Sequence, residues 1–198
     1  MNKTYKLALT AMFCALSVVS NIATIPVTQN NAVSFTVVIA FLAGIYLGAL
    51  PAAAVGFLGD LIGHLVFPIG GAYNWFVGLS CAITGVIPAL VYKLKTNEIL
   101  KLIISLSVFF AVCSVCLNTF GFWLQYIVGA DPSPVGLWQF FTMEKSGIKK
   151  SFWVYLLTRL PFTLLNTAIN GIIVGILRQT RVLDKLLLKS AIEKNNAR

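Results

Sequence analysis

The stretch SFWVYLLTRLPFTLLNTAINGIIVGIL, residues 151–177, runs for 27 residues with one charge, Arg159. About 20 apolar residues cross the hydrocarbon core of a bilayer, so this segment is long enough to span. A charge near the centre of a span costs roughly 2.5–3.5 kcal/mol on insertion scales, and such residues mark a substrate path or a buried partner. AVGFLGDLIGHLVF, residues 54–67, poses the same question with Asp60. The apolar runs give the fold, a membrane-embedded helical bundle, and the two charges say where in it to look for function.

The remaining composition agrees. The 198 residues are 58% hydrophobic and 11% charged, against about 25% charged in soluble domains. The net charge of +9 comes from 15 basic and 6 acidic residues. Most basic residues flank apolar runs, a pattern that orients membrane proteins rather than one that binds nucleic acid. Cys14, Cys81, Cys113 and Cys116 all lie within apolar segments. Cys113 and Cys116 form a CxxC with no second pair, so packing rather than metal binding is expected of them. The first apolar run follows Lys3 and Lys6 and ends without a small-x-small cleavage site; it reads as a first membrane helix rather than a signal peptide.

Six spans follow, at about 5–23, 33–49, 51–67, 74–93, 101–128 and 152–177. They make one all-α membrane domain over residues 1–198. A polar connection, PVTQNN, separates the first two, and a turn from Gly48 to Pro51 separates the next two. Residues 129–150 are polar and turn-rich, with a short interfacial helix expected near 137–141. Lys3, Lys6, Lys93, Lys95, Lys101, Arg178, Arg181, Lys185, Lys189, Lys194 and Arg198 fall on one side. Only Lys145, Lys149 and Lys150 fall on the other. The richer side is cytoplasmic by the positive-inside rule, which puts both termini inside the cell. Residues 178–189 alternate basic and leucine positions and read as an interfacial helix. The two halves do not repeat one another.

Several constellations carry chemistry. Ala11 and Ala15, four apart in span one, form a small-residue face that lets another helix approach; spacing alone favours a contact inside the bundle. Asp60 and His64 share a helix face at i and i+4. Two such ligands are too few for a transition metal, so no metal is expected. A structural hydrogen-bonded pair is the expectation, and a proton- or ion-coupled carrier site the alternative. Asn74 and Trp75 open span four; Asn118, Trp123, Gln125 and Tyr126 lie toward the outer end of span five, and Arg159 in span six. Aromatic rings, amides and one cation in the outer half describe a pocket for a flat, partly anionic small molecule. The accounts that compete are an aromatic belt for the tryptophans and helix-to-helix hydrogen bonds for the amides. No Walker lysine motif, HExxH or GxSxG is present, so neither an ATPase nor a hydrolase is expected, and no cofactor.

The segment GFLGDLIGHLVFPIGGAYNWFVGLSCAITGVIPALVYK, residues 56–93, together with Ala11 and Ala15, resembles the substrate-binding S components of energy-coupling factor (ECF) vitamin transporters. The likeness spans roughly 6–177. It rests on Gly59-Asp60-Leu61-Ile62-Gly63, on Pro68, Gly70, Gly71 and Tyr73, on Gly78-Leu79-Ser80 and on Ala82 with Gly85. It is greatest to the folate-type branch, which Asn118-Thr119, Trp123-Leu124 and Arg159 before Pro161 also fit. Tyr73-Asn74-Trp75 departs from the phenylalanine-rich loop of folate binders, which leaves the vitamin open among folate, pantothenate and cobalamin. The resemblance implies a bacterial plasma-membrane subunit that binds its vitamin from outside among spans four to six. Its site residues would be Asn74, Trp75, Asn118, Trp123, Tyr126 and Arg159. It also implies docking through Ala11 and Ala15 on a membrane scaffold subunit served by two cytoplasmic ATPases.

Overall fold

A computed structural model describes residues 3–28, 31–68, 73–128 and 152–180. The chain runs α1 (Lys3–Ile22), β1 (Ile25–Thr28), β2 (Asn31–Val33), α2 (Thr36–Leu47), α3 (Ala49–Val66) and α4 (Trp75–Val91). Span five is one continuous rod in three parts: α5 (Glu98–Val108), a π-helical segment (Phe109–Asn118) and α6 (Thr119–Val128). α7 (Phe152–Gln179) closes the bundle. The fold is thus all-helical in its six rods. The expected interfacial helices near 137–141 and 181–189, and Lys145, Lys149 and Lys150, lie outside the described residues.

α1, α3, the span-five rod and α7 are long and apolar enough to cross a membrane; α2, with 12 residues, and α4, with 17, are shorter. α2 starts three residues later than the apolar run that announced it, because the chain before it pairs with itself. β1 and β2 form an antiparallel hairpin with Ile25 opposite Val33, where the sequence had read only a polar connection. Beyond the hairpin, the Ser34 carbonyl accepts a hydrogen bond from Asn170 Nδ2 on α7 at 3.0 Å. Non-helical backbone inside a membrane bundle needs such partners, since lipid offers none.

Glycines set the spacing of the first four helices. A Cβ at Gly44 would strike the Gly85 carbonyl, one at Gly56 the Cys81 carbonyl, and one at Gly59 the Ser17 hydroxyl. α3 therefore packs backbone-to-backbone on α4, and close against α1. The turn between α2 and α3 is tighter than the sequence implied. Gly48 alone separates them, at φ +88°, a left-handed conformation that favours glycine. Pro51 sits in the first turn of α3, where its missing N–H costs nothing. The main core gathers Phe13, Val38, Phe41, Leu42, Val55 and Ile87 with Phe109 and Val174.

At the far end of α7, Arg178 donates to Tyr46 Oη (3.0 Å) and to Glu98 Oε2 (2.8 Å), while Lys101 donates to Glu98 Oε1 (3.0 Å). α2, α5 and α7 are thereby fastened to one another at that edge.

Candidate functional site

A second apolar cluster stands apart from the main core: Trp123 and Tyr155, with Phe120, Phe122 and Phe152 around them. Arg159 lies inside it and is only 6% exposed. Its guanidinium sits over the Phe122 ring at 4.6 Å and the Tyr155 ring at 5.6 Å, and Nη1 donates to the Asn118 carbonyl at 3.4 Å. Rings hold a guanidinium by cation–π attraction. The Asn118 side-chain Oδ1 is buried and accepts no hydrogen bond among the described residues. Phe76 joins α4 to the cluster by an edge-to-face contact with Phe120 (5.4 Å).

Asn74 begins α4 as its N-cap, with Oδ1 accepting from the Phe76 amide at 3.0 Å, the usual way an orphan helix donor is satisfied. Its amide nitrogen donates to Gln125 Oε1 on α6 at 2.9 Å. Gly121 makes room for this contact: a Cβ there would meet Phe76 at 2.5 Å and Asn74 at 2.9 Å.

The six expected pocket residues therefore divide. Asn118, Trp123 and Arg159 come together, and Asn74 reaches the same region through Phe76 and Gln125. Trp75 does not join them. It is 66% exposed and packs edge-on against Tyr73 at 5.2 Å. Tyr126 lies on α6, with its side chain outside the described set. Phe122 and Tyr155, the two rings under Arg159, were missed by the sequence reading. Tyr155 carried a usable signal, being four residues before Arg159 on the same helix face; Phe122 carried none that distinguishes it from lipid-facing phenylalanines.

Asp60 is 8% exposed and lies elsewhere. Its carboxylate accepts from Asn21 Nδ2 (3.0 Å) on α1 and from the Tyr73 hydroxyl (2.9 Å) in the connection before α4. Burial first, and then the adjacent carboxylate, push the Tyr73 phenol above the usual tyrosine range, so it stays a donor. The His64 ring rests 5.4 Å from the Tyr73 ring. No ion pair joins Asp60 to Arg159 among the described residues. On α1, Leu9, Phe13 and Ser17 face inward, whereas Ala11 and Ala15 are exposed beside Leu7, Met12, Leu16 and Val19. Packing within the described bundle does not use the alanine face.

The described bundle of apolar rods thus encloses a cluster of aromatic rings around one buried guanidinium. The family model for the substrate-specific component of ECF transporters matches residues 5–178, and the chain belongs to that family. Its fold is similar to a crystal structure of FolT bound with folic acid, with a TM-score of 0.60 at 24% identity over 85% of this chain and 91% of that one. It is also similar to the S component of a bacterial ECF transporter, with a TM-score of 0.64 at 21% identity over 93% and 99%. No curated protein sequence matches.

Proposed function

We propose that this chain is the vitamin-binding subunit of an ATP-driven ECF importer in a bacterial plasma membrane, with folate or a related cofactor precursor as its solute. The observation that carries the reading is the buried Arg159 guanidinium, walled by Phe122 and Tyr155 and facing Asn118. A flat ring system suits the aromatic walls, and a carboxylate suits the guanidinium fork. The fold shared with FolT, whose structure holds folic acid, supports folate among the vitamins. ATP hydrolysis belongs to partner chains: two cytoplasmic ATPases on a membrane scaffold, with Ala11 and Ala15 as the docking face on this subunit. The ion-coupled carrier alternative loses support because the Asp60 carboxylate is already bonded to Asn21 and Tyr73.

The test is binding of folic acid and of its dimethyl ester to the purified chain, alongside mass spectrometry of any ligand it carries from cells. The acid should bind more tightly than the ester by about tenfold or more, and Arg159→Lys should shrink that preference, since an ammonium cannot copy a bidentate fork. Equal binding of acid and ester by the wild type removes Arg159 as the carboxylate reader. A different released vitamin reassigns the solute.

A further inference from the structure

Threonine hydroxyls in α-helices reach back to the carbonyl four residues earlier. Thr10, Thr84 and Thr167 do so, to Lys6, Ser80 and Thr163. Thr119 behaves differently: its Oγ1 donates to the carbonyl of Ser114, five residues back, at 2.9 Å. It stands at the first position after the π-helical segment. Where an i−5 ladder returns to an i−4 ladder, one carbonyl is passed over by the backbone donors. At this exit the Thr119 amide donates to the Cys116 carbonyl, and the Thr119 hydroxyl adds a donor at the Ser114 carbonyl. A second clasp lies one residue earlier, where the Ser80 hydroxyl on α4 donates to the Cys113 carbonyl at 3.4 Å. Both clasps are buried: Ser80 is 1% exposed, Ser114 5% and Thr119 1%.

Along the rod Ser105, Phe109 and Cys113 are buried at a spacing of four, and burial then passes to Ser114 and Thr119. Phe109, Ser114 and Thr119, each five residues apart, are all buried. In an α-helix, residues five apart point about 140° away from one another. The π register is therefore what brings these three inward together. It also sets the rotation of everything after it. Trp123 follows Thr119 by one α-helical turn and is 3% exposed, and the Asn118 carbonyl, the last in the segment, receives Arg159.

We propose that Thr119, assisted by Ser80, is a positioning residue of the solute pocket. By holding the Ser114 and Cys113 carbonyls, the two hydroxyls lock the π register that turns Asn118 and Trp123 toward Arg159. The inference rests on the pocket proposed above, but the register itself is measurable without ligand.

The experiment compares wild type, Thr119→Val and Thr119→Ser as full chains in lipid nanodiscs. One readout is hydrogen exchange of backbone amides 114–123 without ligand; the other is affinity for folic acid. Thr119→Val, which keeps the shape and removes the donor, should speed exchange in this segment and weaken folic acid about tenfold. Thr119→Ser, which restores the donor, should match wild-type exchange and bind within about threefold of it. In an Arg159→Lys background Thr119→Val should add little further loss, because both act on the same contact. Wild-type exchange and affinity in Thr119→Val overturn the proposal. So does equal impairment of the Val and Ser variants, which would make the site one of packing. If Thr119→Val does not fold, Ser80→Ala is judged by the same readouts, with faster exchange and about threefold weaker binding expected from the longer bond, and no change in either overturning the proposal. If wild type fails to bind folic acid, the solute assignment falls, while the exchange comparison still decides the register.

Discussion

The two sides of the bundle are built on different principles. α2 to α4 are held by backbone standing against backbone, with Gly44 on Gly85 and Gly56 on Cys81, and α1 packs close with the small Ser17 side chain on Gly59. The side formed by the span-five rod and α7 is held by side chains: leucine tips under its glycines, an aromatic cluster, a buried guanidinium and a widened helix. In lipid there is no hydrophobic force to press helices together, so close backbone approach is the firmest available contact. Side-chain contacts can re-form around a guest. On the function proposed above, the first side is the frame and the second the side that recognises the solute.

The largest contrast should come from the glycines. A Cβ at Gly56 would lie 2.7 Å from the Cys81 carbonyl carbon, so α3 and α4 must separate to admit it. At Gly171 the obstacle at 2.6 Å is a Leu106 methyl, which can rotate away. Gly56→Val should cost about 3 kcal/mol or abolish monodisperse yield, whereas Gly171→Ala should stay within about 1 kcal/mol, as read by thermal unfolding in detergent. Similar losses from both would erase the distinction between the two sides.

Docking is next in size. Ala11→Leu with Ala15→Leu enlarges an already exposed face. Uptake by the assembled transporter should be abolished while vitamin binding to the isolated chain persists. Unchanged uptake places the docking face elsewhere.

The tryptophans sharpen the comparison further. Trp123 is enclosed by Phe120 and Phe152, and Trp75 stands in the open against Tyr73. Trp123→Ala should weaken solute binding by about tenfold or more, and Trp75→Ala by about threefold or less. A calorimetric titration that found the reverse order would move the pocket to the Tyr73 side. The smallest effect on binding is expected on the frame. Asp60→Asn should lower stability by about 1–3 kcal/mol, since one acceptor of the Asn21–Tyr73 pair becomes a donor, with affinity changed less than about threefold in folded protein. A large affinity loss with intact folding would bring Asp60 into the binding chemistry.

The sequence disclosed the rods because a bilayer demands long apolar runs, and it disclosed Arg159 because a charge there is costly. It disclosed less where partners are distant in sequence. Asp60 and His64 lie one turn apart, yet the bonds to Asp60 come from Asn21 and Tyr73, on separate segments. Ala11 and Ala15 read by spacing alone as an internal contact, and in the fold they face outward. The pairing of Ile25–Thr28 with Asn31–Val33 was obscured by the polar sequence there. The π segment was hidden for a different reason: lipid-facing and core-facing positions are both apolar, so Phe109, Phe110 and Val112 erase the period that would reveal a changed ladder.

The clasp of Arg178 on Tyr46 and Glu98 gives α7 a fulcrum. A helix of 28 residues is about 42 Å long, so a tilt of about 5° about that end would sweep the opposite end through about 4 Å. Tyr155 and Arg159 lie near that opposite end, close to Phe152, and such a travel would be about the breadth of one aromatic ring seen edge-on.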